Sequence, residues 1–165
     1  MNTIQTQEET ERIQYAEAVA YCFFAERFSK YFKSIKKMNY LYSDFDCSGI
    51  TITNRKNIIE FKIRDKYARM YSGSTMIENK KLRALQRIWE QDKTIEVKFI
   101  CYFNDVYISF NLSERFKQCG NSDILYVTTM PCKHTTMRAD NEVWNKKVNF
   151  LCFNSKMWQD KLIQY

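Results

Sequence analysis

Two short β-rich runs, from Gly49 to Thr53 and from Ile58 to Ile63, flank the polar tetrapeptide Asn54-Arg55-Lys56-Asn57 and constrain this chain more than any other stretch. The pattern reads as a β-hairpin. Side chains alternate along a strand, so Ile59, Phe61 and Ile63 share one face of the second run and Ile58, Glu60 and Lys62 share the other. Glu60 and Lys62 therefore stand side by side on a strand that is apolar on both faces, an uncomfortable place for ordinary solvated charges. Loop length decides what they meet. A three-residue loop Arg55-Lys56-Asn57, with Asn57 left-handed, sets Asn54 opposite Ile58 and brings the even-numbered residues before it, Asp46 among them, onto the face of Glu60. A four-residue loop sends Asp46 to the opposite face unless a bulge, for which Gly49 is the candidate, brings it back.

Two carboxylates and a lysine converging on one sheet face suit metal-assisted phosphodiester hydrolysis. The carboxylates hold Mg²⁺, a hard ion that prefers oxygen ligands and keeps several waters. The metal activates a water and stabilises charge on the phosphate, and the lysine orients that water or neutralises developing charge.

Asp46, Glu60 and Lys62 resemble the signature of the PD-(D/E)xK nuclease superfamily, an Asp on one strand and Glu-x-Lys on the next. The resemblance implies a restriction-endonuclease-like fold of the α/β (α+β) class, a mixed central sheet flanked by helices. It implies Mg²⁺, with Mn²⁺ able to substitute, held by Asp46 and Glu60 together with the backbone carbonyl of Phe61, while Lys62 assists the water. Relatives often bring a helical Glu towards the metal, which here nominates Glu17. They include restriction-like enzymes and junction resolvases, which often act as dimers, so a homodimer on DNA is implied as well. The proline of the signature is absent: Phe45 precedes Asp46 and Ser43 precedes Asp44. Either aspartate therefore fits the ligand position, and Asp46 is favoured because it lies closer to the strand.

Charge is distributed unevenly. Residues 1–29 carry 2 basic and 5 acidic groups, residues 30–93 carry 15 and 7, and residues 94–165 carry 9 and 7, so the net charge of +7 resides in the middle of the chain. Four of the seven middle acids are Asp44, Asp46, Glu60 and Asp65. Carboxylates embedded in a basic region attract a polyanion to a place that holds cations. With 165 residues, 45% of them hydrophobic, one domain spanning 1–165 is expected, large enough for a real core. Six singly scattered cysteines without a Cys-x-x-Cys pair read as reduced thiols, and no apolar run approaches the ~20 residues that span a bilayer. A cytoplasmic protein in a reducing compartment, with no signal peptide and no membrane contact, is the expectation.

Along the chain, helical periodicity runs from about Gln7 to Ile35, with a Thr6/Glu9 capping box at its start and Glu17 inside the apolar stripe. Lys30, Lys33, Lys36 and Lys37 lead into the hairpin. Arg64 and Lys66 follow it, with Arg69, Tyr67 and Tyr71, in a loop suited to phosphate contact and stacking. Thr75 and Glu78 form a second capping-box pattern before a helix from Met76 to about Gln91, whose Lys80, Arg83 and Arg87 line one face as a candidate nucleic-acid surface. Residues 94–112 make the clearest hairpin: an Asn104-Asp105 turn pairs Phe103 with Val106, Cys101 with Ile108, Phe99 with Phe110 and Val97 with Leu112. A polar connection follows from Ser113 to Ser122, with room for a helical turn. Strands are expected from Ile124 to Met130, ended by Pro131, and from Trp144 to Phe153, with a closing helix from Asn154 to Tyr165. Cys132 and His134 lack the further ligands a zinc site needs.

The leading expectation is a metal-dependent endonuclease acting on DNA. One rival is a non-catalytic nucleic-acid-binding module with the same fold and basic surface. The other is an interaction protein whose many Tyr and Phe side chains form an interface.

Overall fold

Helix α1 (Gln7–Phe28) ends seven residues earlier than its periodicity suggests. One 3-10 turn, Ser29–Tyr31, separates it from strand β1 (Phe32–Lys37), because beyond Phe28 the chain finds a strand partner rather than another helical turn. The computed structural model describes residues 7–38, 43–64, 66–71, 73–119, 127–133, 143–152 and 159–164. The expected Thr6 cap lies outside them, as do Ile124 and His134.

β1 pairs antiparallel with β2 (Cys47–Thr51), and β2 antiparallel with β3 (Lys56–Ile63). β5 (Glu96–Tyr102) is parallel to β3, which demands a crossover; the chain makes it through β4 (Ser74–Glu78) and α2 (Asn79–Gln91). β6 (Val106–Asn111) returns beside β5. The final strand, β9 (Gln159–Gln164), adds to β6 and completes a mixed six-stranded sheet of order β1-β2-β3-β5-β6-β9. A smaller antiparallel sheet, β4-β8-β7, is built from β7 (Val127–Lys133) and β8 (Val143–Cys152) around β4.

Both faces of the large sheet are covered. Val97, Phe99, Cys101, Phe103, Val106, Ile108, Phe110 and Leu112, the residues the second hairpin was expected to align, form one core with Ile58, with Leu82, Leu85 and Trp89 of α2, and with Phe116 of α3 (Leu112–Cys119). On the opposite face Cys47, Ile59, Phe61, Ile100, Tyr102 and Tyr107 pack against Ala20 and Phe24 of α1. The result is an α/β protein with a mixed sheet flanked by helices.

Three local expectations are corrected and one, the helical turn after Ser113, is extended. The Thr75/Glu78 pattern is not a capping box: both residues belong to β4, paired residue by residue with β8, and α2 starts at Asn79 without a side-chain cap. The Ser113–Ser122 connection is largely helix α3, held at its start by Ser113, whose Oγ accepts from the Val97 amide at 2.6 Å and donates to the Ile95 carbonyl at 3.1 Å. Pro131 does not end its strand but sits inside β7 opposite Asn145; β7 is the outer strand of its sheet, where a missing amide is tolerated. Within the expected closing helix, Gln159–Gln164 forms β9 because it pairs with β6; residues 154–158 and 165 lie outside the described residues.

Candidate active site

The hairpin that opens the site turns three residues earlier than expected. Ile50 pairs with Lys56, and the Thr51 amide donates to the Arg55 carbonyl at 2.9 Å, leaving Ile52-Thr53-Asn54 as the loop. Asn54, at φ 62°, is the left-handed residue instead of Asn57. The loop still has three residues, so the parity of the register is the one a three-residue loop requires. Cys47 lies opposite Ile59, and just before the strand the Asp46 amide donates to the Ile59 carbonyl at 3.1 Å, which holds Asp46 beside β3 where its side chain hydrogen-bonds that of Glu60. Gly49 carries no bulge against β3. Its missing side chain serves another purpose: a Cβ there would meet the Phe32 ring at 2.7 Å. The irregularity in this part of the sheet falls in β1, between Phe32 and Ser34.

Of the two aspartates, Asp46 is the one built into the site. Its Oδ2 accepts from the Phe61 amide at 2.6 Å, whereas Asp44 is exposed. Glu60 is 8% exposed. Burial, then the neighbouring charge of Asp46, push the Glu60 carboxyl up to about 8. Asp46 is raised too, chiefly by burial, although the Phe61 amide and Lys81 oppose the shift. The hydrogen bond between the two side chains raises Glu60 and lowers Asp46, so of the two acids Glu60 holds its proton to the higher pH. A buried Glu60 carboxyl whose ionisation is disfavoured by the neighbouring Asp46 is the electrostatic condition under which a cation is strongly attracted.

Three lysines from three elements act on Asp46, Glu60 and the nearby Glu17. Lys62 is half-buried on β3, two residues beyond Glu60 on the same face, and its charge lowers the carboxyls of Asp46 and Glu17. Lys37, at the end of β1, acts on Glu17. Lys81, in the first turn of α2, makes the closest contact: its Nζ is 3.1 Å from both carboxylate oxygens of Glu60 and 3.3 Å from the Ser43 carbonyl. Sequence reading passed over Lys81 in favour of the basic residues around it. The signal that could have found it is a pair of lysines in the first turn of a helix, against the preference of a helix N-terminus.

Glu17 lies one turn before Ala20 on the α1 stripe that packs on β3. Its side chain is exposed overall, yet its carboxyl is partly dehydrated and feels Asp46, and its pKa is raised by both effects in that order. α1 thus brings it to the rim of the acid pair. Among the expected nucleic-acid residues, Lys80 and Arg87 are exposed on α2, and Arg83 is half-buried with its Nη1 3.1 Å from the Gln86 Oε1. Lys66 is exposed. Arg64 is engaged structurally: its Nη2 donates to the Thr75 Oγ1 at 3.2 Å and the Met76 carbonyl at 2.9 Å, tying the end of β3 to β4.

The donor set fits a hard divalent ion. Among the described residues no three His, Cys, Asp or Glu side chains converge as a self-sufficient metal cage. Mg²⁺, however, is ordinarily bound through one or two carboxylates with water completing its shell. Asp46 and Glu60 supply those carboxylates. The Phe61 carbonyl points to the same side of β3 as its amide, towards Asp46, where the β2 ladder has ended. The nearby thiol is no competing ligand: burial and then Asp46 push Cys47 up to about 12. This combination defines a buried acid pair framed by lysines on a mixed sheet. No family model, curated protein or solved structure matches the chain. Among the described residues no helix is long and apolar enough to cross a membrane.

Proposed function

We propose that this chain is a cytoplasmic, Mg²⁺-dependent endonuclease of the PD-(D/E)xK type that hydrolyses phosphodiester bonds in DNA. The observation that carries the reading is the pairing of the Asp46 and Glu60 side chains by a hydrogen bond, with Lys62 two residues on along the Glu60 face and the Phe61 amide fixed to Asp46. Asp46, Glu60 and the Phe61 carbonyl hold the ion. Bound there, Mg²⁺ supplies an activated water and neutralises charge on the scissile phosphate. Lys62 orients the attacking water or offsets the charge developing on the phosphate. Glu17, at the rim with a raised pKa, is placed to accept a proton through water on the outer side of the pair. Lys80 and Arg87, exposed on the helix that also carries Lys81, extend positive charge outward from the site and contact the DNA backbone. A homodimer would let two such sites address both strands.

The test is cleavage of supercoiled plasmid and of branched DNA by the full chain with Mg²⁺ or Mn²⁺. Cleavage that disappears in EDTA supports the assignment, and cleavage undiminished in chelator defeats the metal mechanism. A second reading, a nucleic-acid-binding module without turnover, is favoured by the Lys81–Glu60 ion pair, which neutralises the site without a metal. DNA binding without cleavage of either substrate would select it.

A further inference from the structure

Lys81 sits where an electrostatic argument about its helix alone would not put it. The N-terminus of α2 carries partial positive charge from its unpaired amides, Lys80 and Lys81 add two cations in the first turn, and the acid at the N-cap, Glu78, makes no capping hydrogen bond. Lys81 finds its acid on another element: its ammonium spans both oxygens of Glu60 at 3.1 Å and reaches the Ser43 carbonyl at 3.3 Å.

The position is also fixed from behind. β4 runs into α2 with no intervening residue. The Arg64 guanidinium binds the Met76 carbonyl of β4, and the Asn149 Nδ2 of β8 donates to the Asn79 Oδ1 at the first residue of α2 at 3.1 Å. Asn149 is 1% exposed. The smaller sheet therefore delivers the first turn of α2 to the acid pair.

Resting on the reading that Asp46 and Glu60 hold a divalent cation, we propose that Lys81 is a tethered counter-cation occupying that cation's seat, so that metal binding requires the ammonium to be displaced from Glu60. The ammonium contacts the same oxygens that the metal needs, and both cannot hold them together. Lys81 lowers the carboxyls of all three acids, Glu17, Asp46 and Glu60, so it relieves their mutual repulsion while no metal is present. The Lys81 side chain is 30% exposed, which gives the ammonium a path to solvent when it leaves. Lys81 is on this account a positioning residue that sets the metal affinity of the site, distinct from Lys62, which acts on the water.

Isothermal titration of Mn²⁺ into the full-length parent and into Lys81→Met, Lys81→Gln and Lys81→Arg tests this, with thermal melts to establish that each variant is folded. The proposal expects the two neutral variants to bind Mn²⁺ about tenfold tighter or more, since a charge opposing the ion has left a poorly solvated site. Lys81→Arg, which keeps the charge and the carboxylate partner, should bind no tighter than the parent. Tight binding by the neutral variants where the parent shows none also supports the lock. Equal or weaker binding by folded neutral variants overturns it while leaving the metal site intact, as does an arginine variant that tightens as much as methionine. Absence of Mn²⁺ binding in all four proteins overturns both this proposal and the metal-site reading.

Discussion

Replacing Glu60 by Gln removes a charge the fold accommodates poorly, and the structure sets the size of the effect. The Glu60 carboxyl is raised from 4.5 to about 8 in the folded protein. Because the folded value lies above the unfolded one, its favourable contribution is complete below pH 4.5 and is lost as pH rises through 8. With about 1.4 kcal/mol for each pH unit in which only the unfolded state releases the proton, the loss approaches roughly 4 kcal/mol at pH 8. That is a ceiling, since water entry and movement of Lys81 reduce it. Gln has nearly the same shape and carries no proton to lose, so in metal-free buffer Glu60→Gln should match the parent near pH 4.5 and exceed it increasingly towards pH 8. For a chain of this size the ceiling corresponds to a Tm difference of roughly 10 °C. Urea unfolding of both proteins in EDTA between pH 4.5 and 8.5 measures the divergence. Parallel stability curves across that range would refute the claim that Glu60 is a destabilised buried acid.

Chemistry and binding separate in other variants. Lys62→Ala should leave Mn²⁺ affinity within about threefold of the parent yet lower single-turnover DNA cleavage by about 100-fold or more, the scale on which removing one charge-stabilising donor acts. Parent-like cleavage would remove Lys62 from the mechanism. Glu60→Gln should bind DNA at least as well as the parent, because a carboxylate that repels phosphate has gone, while failing to cleave; weaker binding in a gel-shift titration would contradict this. The double change Lys80→Ala with Arg87→Ala should weaken DNA binding and reduce the slope of log affinity against log salt by about 1 to 2, one share of counterion release for each lost phosphate contact. An unchanged slope would mean that this face of α2 is only solvated.

The hairpin shows why so much of the site was legible in the sequence although the turn was misplaced. Asn54 and Asn57 both tolerate the left-handed conformation, and the three-residue loops ending at each differ in register by an even number of residues. Either loop leaves Asp46 on the face of Glu60, so the constellation survived the error. The Asn104-Asp105 hairpin was legible outright because its alternation is uninterrupted: Phe99 does meet Phe110 and Cys101 does meet Ile108. What stayed hidden depends on partners distant in sequence. Thr75 and Glu78 satisfy a local capping pattern, but pairing with β8 some seventy residues on makes them strand. β9 likewise exists through β6. Lys81 was invisible for a related reason. Helical periodicity sorts residues by the faces of one helix, whereas the partner of Lys81 lies on a strand reached only after the crossover closes.

The central claim is that Asp46 and Glu60 together hold a divalent cation. Crystals of the full chain soaked in Mn²⁺ and measured for anomalous scattering test it most directly. The account predicts an anomalous peak between the two carboxylates, in reach of the Phe61 carbonyl, with the Lys81 ammonium withdrawn from Glu60. A well-ordered site at saturating Mn²⁺ with no peak, and Lys81 still seated on both oxygens of Glu60, would contradict it.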